Sequence, residues 1–153
     1  VHVEEGERAP RYRWWVLGIG GAVLATAVVV VLWNRDGASV PGVEGRWRPE
    51  SIAGYTIDPA RTAANPREPL VEFRPDGTLT TSDGCNVVEI PYTVGEQGAF
   101  GHGAPGPQTD IGCWAVPNLG VVLKAKRVDV DGDVLTFLDG AGVEVGRYAR
   151  AGG

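Results

Sequence analysis

"RVDVDGDVLTFLDGAGVEVGRY", residues 127–148, is the stretch on which the fold turns. It holds three β runs joined at Asp131-Gly132 and at Asp139-Gly140. Aspartate followed by glycine supplies the turn conformations that fold one strand back on the next. The same grammar appears upstream. In "PLVEFR", residues 69–74, Val71 and Phe73 alternate with Glu72 and Arg74, "PDG" at 75–77 makes a turn, and "TLTT" at 78–81 returns. Short strands separated by turn residues predict an antiparallel sandwich or a small meander barrel. "PNLGVVLKAK", residues 117–126, predicts one short helix, weakened by Gly120, and "GEQGAFGHGAPGPQ", residues 95–108, reads as a mobile loop too rich in Gly and Pro for a central strand.

Ahead of the β region, "WWVLGIGGAVLATAVVVVLW" at 14–33 contains no charged residue. As a helix it would span roughly 30 Å, the thickness of a bilayer's hydrocarbon core. Trp14, Trp15 and Trp33 stand at its two ends, where indoles favour the headgroup level. The run exceeds the apolar core of a secretory signal, and no small-residue cleavage site follows it, so it is expected to be a membrane anchor. Residues 1–13 then form a cytoplasmic tail, 34–43 a Gly, Pro and Ser-containing linker, and 44–150 the β domain. Arginines flank both ends of the span, so positive charge alone does not orient it. A very short tail before one helix and a folded domain after it suit an N-terminus inside and a domain exported across the membrane.

The chain carries a net charge of −5. Within residues 1–13 the charges cancel, Glu4, Glu5 and Glu7 against Arg8, Arg11 and Arg13, so the acidic excess lies beyond residue 33. With no basic stripe to meet phosphates, a nucleic-acid partner is not expected.

Cys85 and Cys113 are the two cysteines of the chain. Three chemistries compete for them. In an exported domain an even pair forms a disulfide, here closing a loop of 29 residues counted from Cys85 through Cys113. A thiol nucleophile or redox centre would need a base, for which His102 is the one candidate in the β domain. Zinc would need about four ligands, and two Cys with one His fall short. "DVDGDV", residues 129–134, imitates the start of a calcium loop, but its glycine falls at the fourth position rather than the sixth. It is read as a hairpin turn. The chain has no nucleophile elbow, phosphate-binding glycine loop or metalloprotease motif. Catalytic residues, cofactor and metal are accordingly not assigned. Tyr55, Tyr92, Trp47 and Trp114 are candidates for pocket walls or for core.

Taken in order, "GRWRPESIAG" near residue 45, "PLVEFRPDGTL" at 69–79, "GCN" at 84–86 with Tyr92 after it, Thr109 four residues before Cys113, and "DVLTFLDGAGVEVGRY" at the end resemble the META domain family, the HslJ-like proteins. The resemblance covers roughly residues 43–149. It implies a compact antiparallel β-barrel-like domain with one small helical element, in secreted, lipoprotein or membrane-attached bacterial proteins linked to stress tolerance and motility. It also marks Gly84, Asn86, Tyr92 and Thr109 as motif positions beside the cysteines. The chain departs from the family pattern at Ile90 and Gly112, and lacks the acidic residue expected soon after the second cysteine, with Asn118 nearby. The resulting expectation is a non-enzymatic, membrane-anchored envelope or stress-related module that binds an envelope protein or a small ligand. The competing expectation is an envelope thiol enzyme or redox protein using Cys85 or Cys113 with His102.

Overall fold

In the computed structural model, residues 42–152 are described. The expected anchor at 14–33, the expected tail before it and most of the expected linker lie outside that range. Among the described residues there is no helix long and apolar enough to cross a membrane.

The hairpin signals become strands where the turns predict them. β1 (Gly45–Ile52), β2 (Leu70–Phe73), β3 (Thr78–Ser82), β4 (Val87–Val94) and β5 (Phe100–His102) form one meander, and β6 (Arg127–Asp131), β7 (Val134–Leu138) and β8 (Glu144–Arg150) a second. All neighbouring strands are antiparallel, in the order β5-β4-β3-β2-β1-β8-β7-β6. The β1–β8 pairing joins the two meanders and brings Trp47 opposite Arg150. The outer strands then approach each other: Ala99 bridges to Arg127, and the Phe100 amide donates to the Lys126 carbonyl at 2.9 Å. The sheet is therefore a nearly closed barrel. Gly98, at φ 78°, permits that closure, because a Cβ there would run into the Val128 carbonyl.

This closure corrects the reading of 95–108. Its glycines and Phe100 build a tight turn at Glu96–Gly98 and then an edge strand, and Phe100 is buried. A strand of three residues at the seam tolerates the flanking glycine and proline that a central strand would not.

Alternation along the strands sends Trp47, Val71, Phe73, Leu79, Ile90, Leu135, Phe137 and Tyr148 inward, each at most 1% exposed. Phe73, Phe100, Phe137 and Tyr148 meet edge-on or stacked, with Phe137 to Tyr148 at 5.3 Å and Phe73 to Phe137 at 6.1 Å between ring centres. Val43 is 2% exposed, and its carbonyl receives the Trp47 indole N–H at 2.8 Å, so the barrel takes in one residue more than the boundary at 44 allowed.

Among the described residues there are two α-helices where one short helix was expected. α1 (Pro59–Thr62) is a single turn in the β1–β2 connection, with Pro at its start and the Asp58 carboxylate accepting from the Ala60 and Arg61 amides. α2 (Asn118–Lys124) is the predicted helix; it buries Asn118, Val121 and Val122. α2 touches β3, β7 and β8, which lie on opposite walls, and so spans one mouth of the barrel.

The two mouths differ. The chain enters at Gly42 beside the end of β8, where Arg150 donates to the Gly42 and Glu44 carbonyls at 2.7 and 3.1 Å. β1 then runs eight residues, roughly 26 Å, to the other mouth. There lie α2, the β1–β2 connection and the Asp83–Asn86 turn.

Candidate functional site

Both cysteines stand at this second mouth. Asp83 ends β3 in a turn that its own carboxylate holds: Oδ1 accepts from the Cys85 amide at 2.7 Å and from the Asn86 amide at 2.6 Å. Such a side-chain-to-backbone bond is the ordinary turn chemistry of Asp. Gly84 adopts φ 104°. Cys85, 2% exposed, is bonded to Cys113, whose residue is exposed, across a Cα separation of 6.4 Å.

Asn86 completes the clamp. Its Nδ2 donates to Asp83 Oδ2 at 3.1 Å and to the Ile111 carbonyl at 3.0 Å. Its Oδ1 accepts from Thr109 Oγ1 at 2.7 Å and from the Ile111 amide at 2.8 Å. Three of the four hydrogen bonds of this side-chain amide fasten 109–111, and the fourth anchors the amide to Asp83 in the turn. The segment after β5 runs back along β4, with Gly103 donating to the Pro91 carbonyl and Gly106 to the Glu89 carbonyl, each at 2.8 Å. It is a strap, tied at its far end by the disulfide.

Gly84, Asn86, Thr109 and the two cysteines therefore form one cluster. Tyr92 does not join it. Five residues along β4 from Val87, its hydroxyl donates to the Arg74 carbonyl at 2.8 Å, and its ring meets Phe73 edge-on. Burial, then Glu44 and Asp76, raise the Tyr92 hydroxyl above the usual phenol range.

His102 is not brought to the thiols either. It pairs with Tyr92, and its ring nitrogens face the carbonyls of Gly103 and Leu123 at 3.0 and 3.3 Å. Asp83, Cys85 and Cys113 place their donor atoms within 4.8 Å of one another. Yet both sulfurs are bonded to each other, and the Asp83 carboxylate is engaged by two backbone amides and Asn86. The carboxylate serves the turn, and the two sulfurs, joined to each other, are not thiolate ligands.

The strap has a consequence for the surface. After Cys113 it places Trp114 against the β1–β2 connection: Arg61 stacks over the indole at 3.9 Å, Asn65 Nδ2 donates to the Trp114 carbonyl at 2.9 Å, and the Tyr55 hydroxyl to the Ala115 carbonyl at 3.2 Å. Trp114 is 52% exposed. Trp47, by contrast, is core. A cleft of about 590 Å³ opens between β1 and the β1–β2 connection, with Ile57 and prolines on its apolar wall, the fully buried Val116 beneath, and Arg48, Arg67 and Glu68 among its polar groups. A smaller cleft of about 310 Å³ adjoins it under Trp114, between Tyr55 and Arg61. No sequence motif announced the larger cleft, because its walls come from β1, residues 57–69 and Val116, each unremarkable alone.

Beneath the clefts lies a buried polar chain. Asn118, fully buried, donates to the Ser82 carbonyl at 2.7 Å and accepts from the Tyr148 hydroxyl at 2.9 Å. Burial pushes that hydroxyl far above the usual phenol range. The residue standing near the expected acidic position thus links helix α2 to both walls of the barrel, where a carboxylate could not donate to Ser82.

Comparison with family models, with curated proteins and with solved structures finds no match to this chain.

Proposed function

We propose that the chain is a single-pass, membrane-anchored protein displaying a META-like, non-enzymatic β-barrel domain on the extracytoplasmic side, where it serves as an envelope or stress-related binding module. The observation that carries this reading is the Cys85–Cys113 bond together with what it positions. Disulfides persist in oxidising compartments. This one sits in a cluster that immobilises a strap, and Cys113 at the end of that strap lines the smaller cleft under Trp114, beside the larger one. A cleft of a few hundred cubic ångströms with an apolar wall and few polar groups is the usual form of a ligand site. The ordered motif set quoted above supports the family assignment, and the charge-free run at 14–33 supports the anchor.

Labelling of intact cells with a membrane-impermeant maleimide, with and without prior reduction, tests the compartment and the bond together. Two thiols reacting from outside only after reduction are expected. Labelling that requires permeabilisation and no reductant would overturn the exported reading. His102→Ala is expected to leave both labelling and any cellular phenotype unchanged. A phenotype lost in that variant, with the fold intact, would reinstate thiol chemistry.

A further inference from the structure

Among the described residues, eight arginines are present and seven have an acidic partner: Arg46 and Arg48 with Glu68, Arg61 with Asp58, Arg74 with Glu89, Arg127 with Asp129, Arg147 with Glu144 and Arg150 with Asp133. The eighth, Arg67, has none, and it lines the large cleft. Its position is held by the backbone, since the Arg67 amide donates to the Gly84 carbonyl at 3.0 Å and ties the cleft wall to the cysteine turn. Beside it, Glu68 divides its two carboxylate oxygens between Arg46 and Arg48. Two guanidinium groups thus share one carboxylate, and a third, Arg67, precedes that carboxylate in the chain and lines the same cleft. The local excess is positive, although residues 42–152 carry ten Lys and Arg against fifteen Asp and Glu. The cleft's apolar lining is Pro49, Ile57 and Pro69, each half-buried, with the fully buried Val116 beneath.

We propose that this cleft binds a monoanionic ligand consisting of an apolar chain that ends in a carboxylate, with the carboxylate on Arg67 and the chain along Pro49, Ile57 and Pro69. The guanidinium fork matches a carboxylate in two parallel hydrogen bonds, a geometry a neutral amide does not satisfy. Glu68 is the internal competitor: it engages both Arg46 and Arg48, which leaves Arg67 as the cleft guanidinium with no acidic partner among the described residues. This inference rests on the reading of the domain as a binding module and names its ligand class. A free acyl chain and the apolar C-terminus of a peptide share that chemistry.

The test is an amide chemical-shift titration of the full chain in lipid nanodiscs with hexanoate, with hexanamide, and with N-acetyl-leucyl-valine as the peptide C-terminus. Hexanoate is expected to move the amides of Ile57, Asn65, Arg67 and Val116 in a saturable manner, and hexanamide to bind at least about fivefold more weakly, as the loss of a charge-assisted bond implies. Arg67→Gln is expected to erase that difference, and Glu68→Gln to tighten hexanoate by several-fold. Tighter binding of the acetylated dipeptide than of hexanoate would assign the peptide source, the reverse the free acid. Equal binding of acid and amide would overturn the carboxylate assignment while leaving a ligand cleft in place. No shift at these four amides with any probe would overturn the assigned ligand class. The compartment result from thiol labelling is independent of both.

Discussion

Thr109 Oγ1 donates to Asn86 Oδ1 at 2.7 Å across 23 residues of chain, the same oxygen that receives the Ile111 amide. This pair converts a Gly- and Pro-rich segment into a fastened strap. Asn86→Ala removes four hydrogen bonds, but Thr109 and Ile111 are exposed and water replaces part of the loss. The expected cost is about 2 kcal/mol, read from the urea midpoint. Asn86→Asp keeps the acceptor, loses both donors and sets a second carboxylate beside Asp83, and is expected to be no better than alanine.

Gly84 is irreplaceable for two separable reasons. Its φ of 104° disfavours any side chain, and a Cβ would collide with the Asn65 amide nitrogen and stand 3.0 Å from its Cγ. Gly84→Ala is expected to cost at least about 2 kcal/mol. Adding Asn65→Ala should recover the steric part only. Gly112→Ala, with open space around the Cβ, is the control and is expected to be neutral within about 0.5 kcal/mol.

Removing the disulfide by Cys85→Ser with Cys113→Ser enlarges the unfolded ensemble. The chain-entropy relation for a sequence separation of 28 gives a loss of roughly 3.5 kcal/mol. The Asn86 bonds and the Val116 amide to Asp83 carbonyl bond at 2.8 Å remain, so far-ultraviolet circular dichroism of the folded form should be unchanged while the denaturant midpoint falls. Equal midpoints for the double variant and the parent would refute a stabilising role.

Tyr148 makes stability depend on alkaline pH. Its folded-state pKa is raised by burial, so the stabilisation is complete below the unfolded-state value of about 10 and is lost as pH rises beyond it, because only the unfolded chain releases the proton there. The expected slope from this residue is about 1.4 kcal/mol per pH unit above pH 10, with Tyr92 adding in the same direction. Tyr148→Phe should remove that share of the slope, at the cost of leaving Asn118 Oδ1 without its donor. Melting temperatures between pH 9 and pH 12 measure it.

Much of this was legible in order along the chain. The Asp-Gly and Pro-Asp-Gly turns marked β2, β3, β6, β7 and β8, because turn conformation is a local property of one or two residues. Asp131-Gly132 formed the hairpin turn read in place of a calcium loop, with Asp131 opposite Val134. The cysteine pair was also anticipated. β5 was not: Phe100 is buried against a strand 27 residues ahead, and composition carries no trace of that neighbour. Nor was α1, whose single turn depends on the Asp58 cap.

By itself the sequence determined the antiparallel meander, the cysteine pair, the acidic balance and the twenty-residue apolar run, all features set by neighbours in the chain or by composition. Tertiary structure alone decided that Asn86 holds Thr109, that His102 lies away from the cysteines, and that Arg67, with no acidic partner among the described residues, lines a cleft with apolar residues. Those relations depend on barrel closure, which pairs β1 with β8 and brings β5 to β6. Closure is a property of the whole sheet, its strand number and stagger, and no local stretch encodes it.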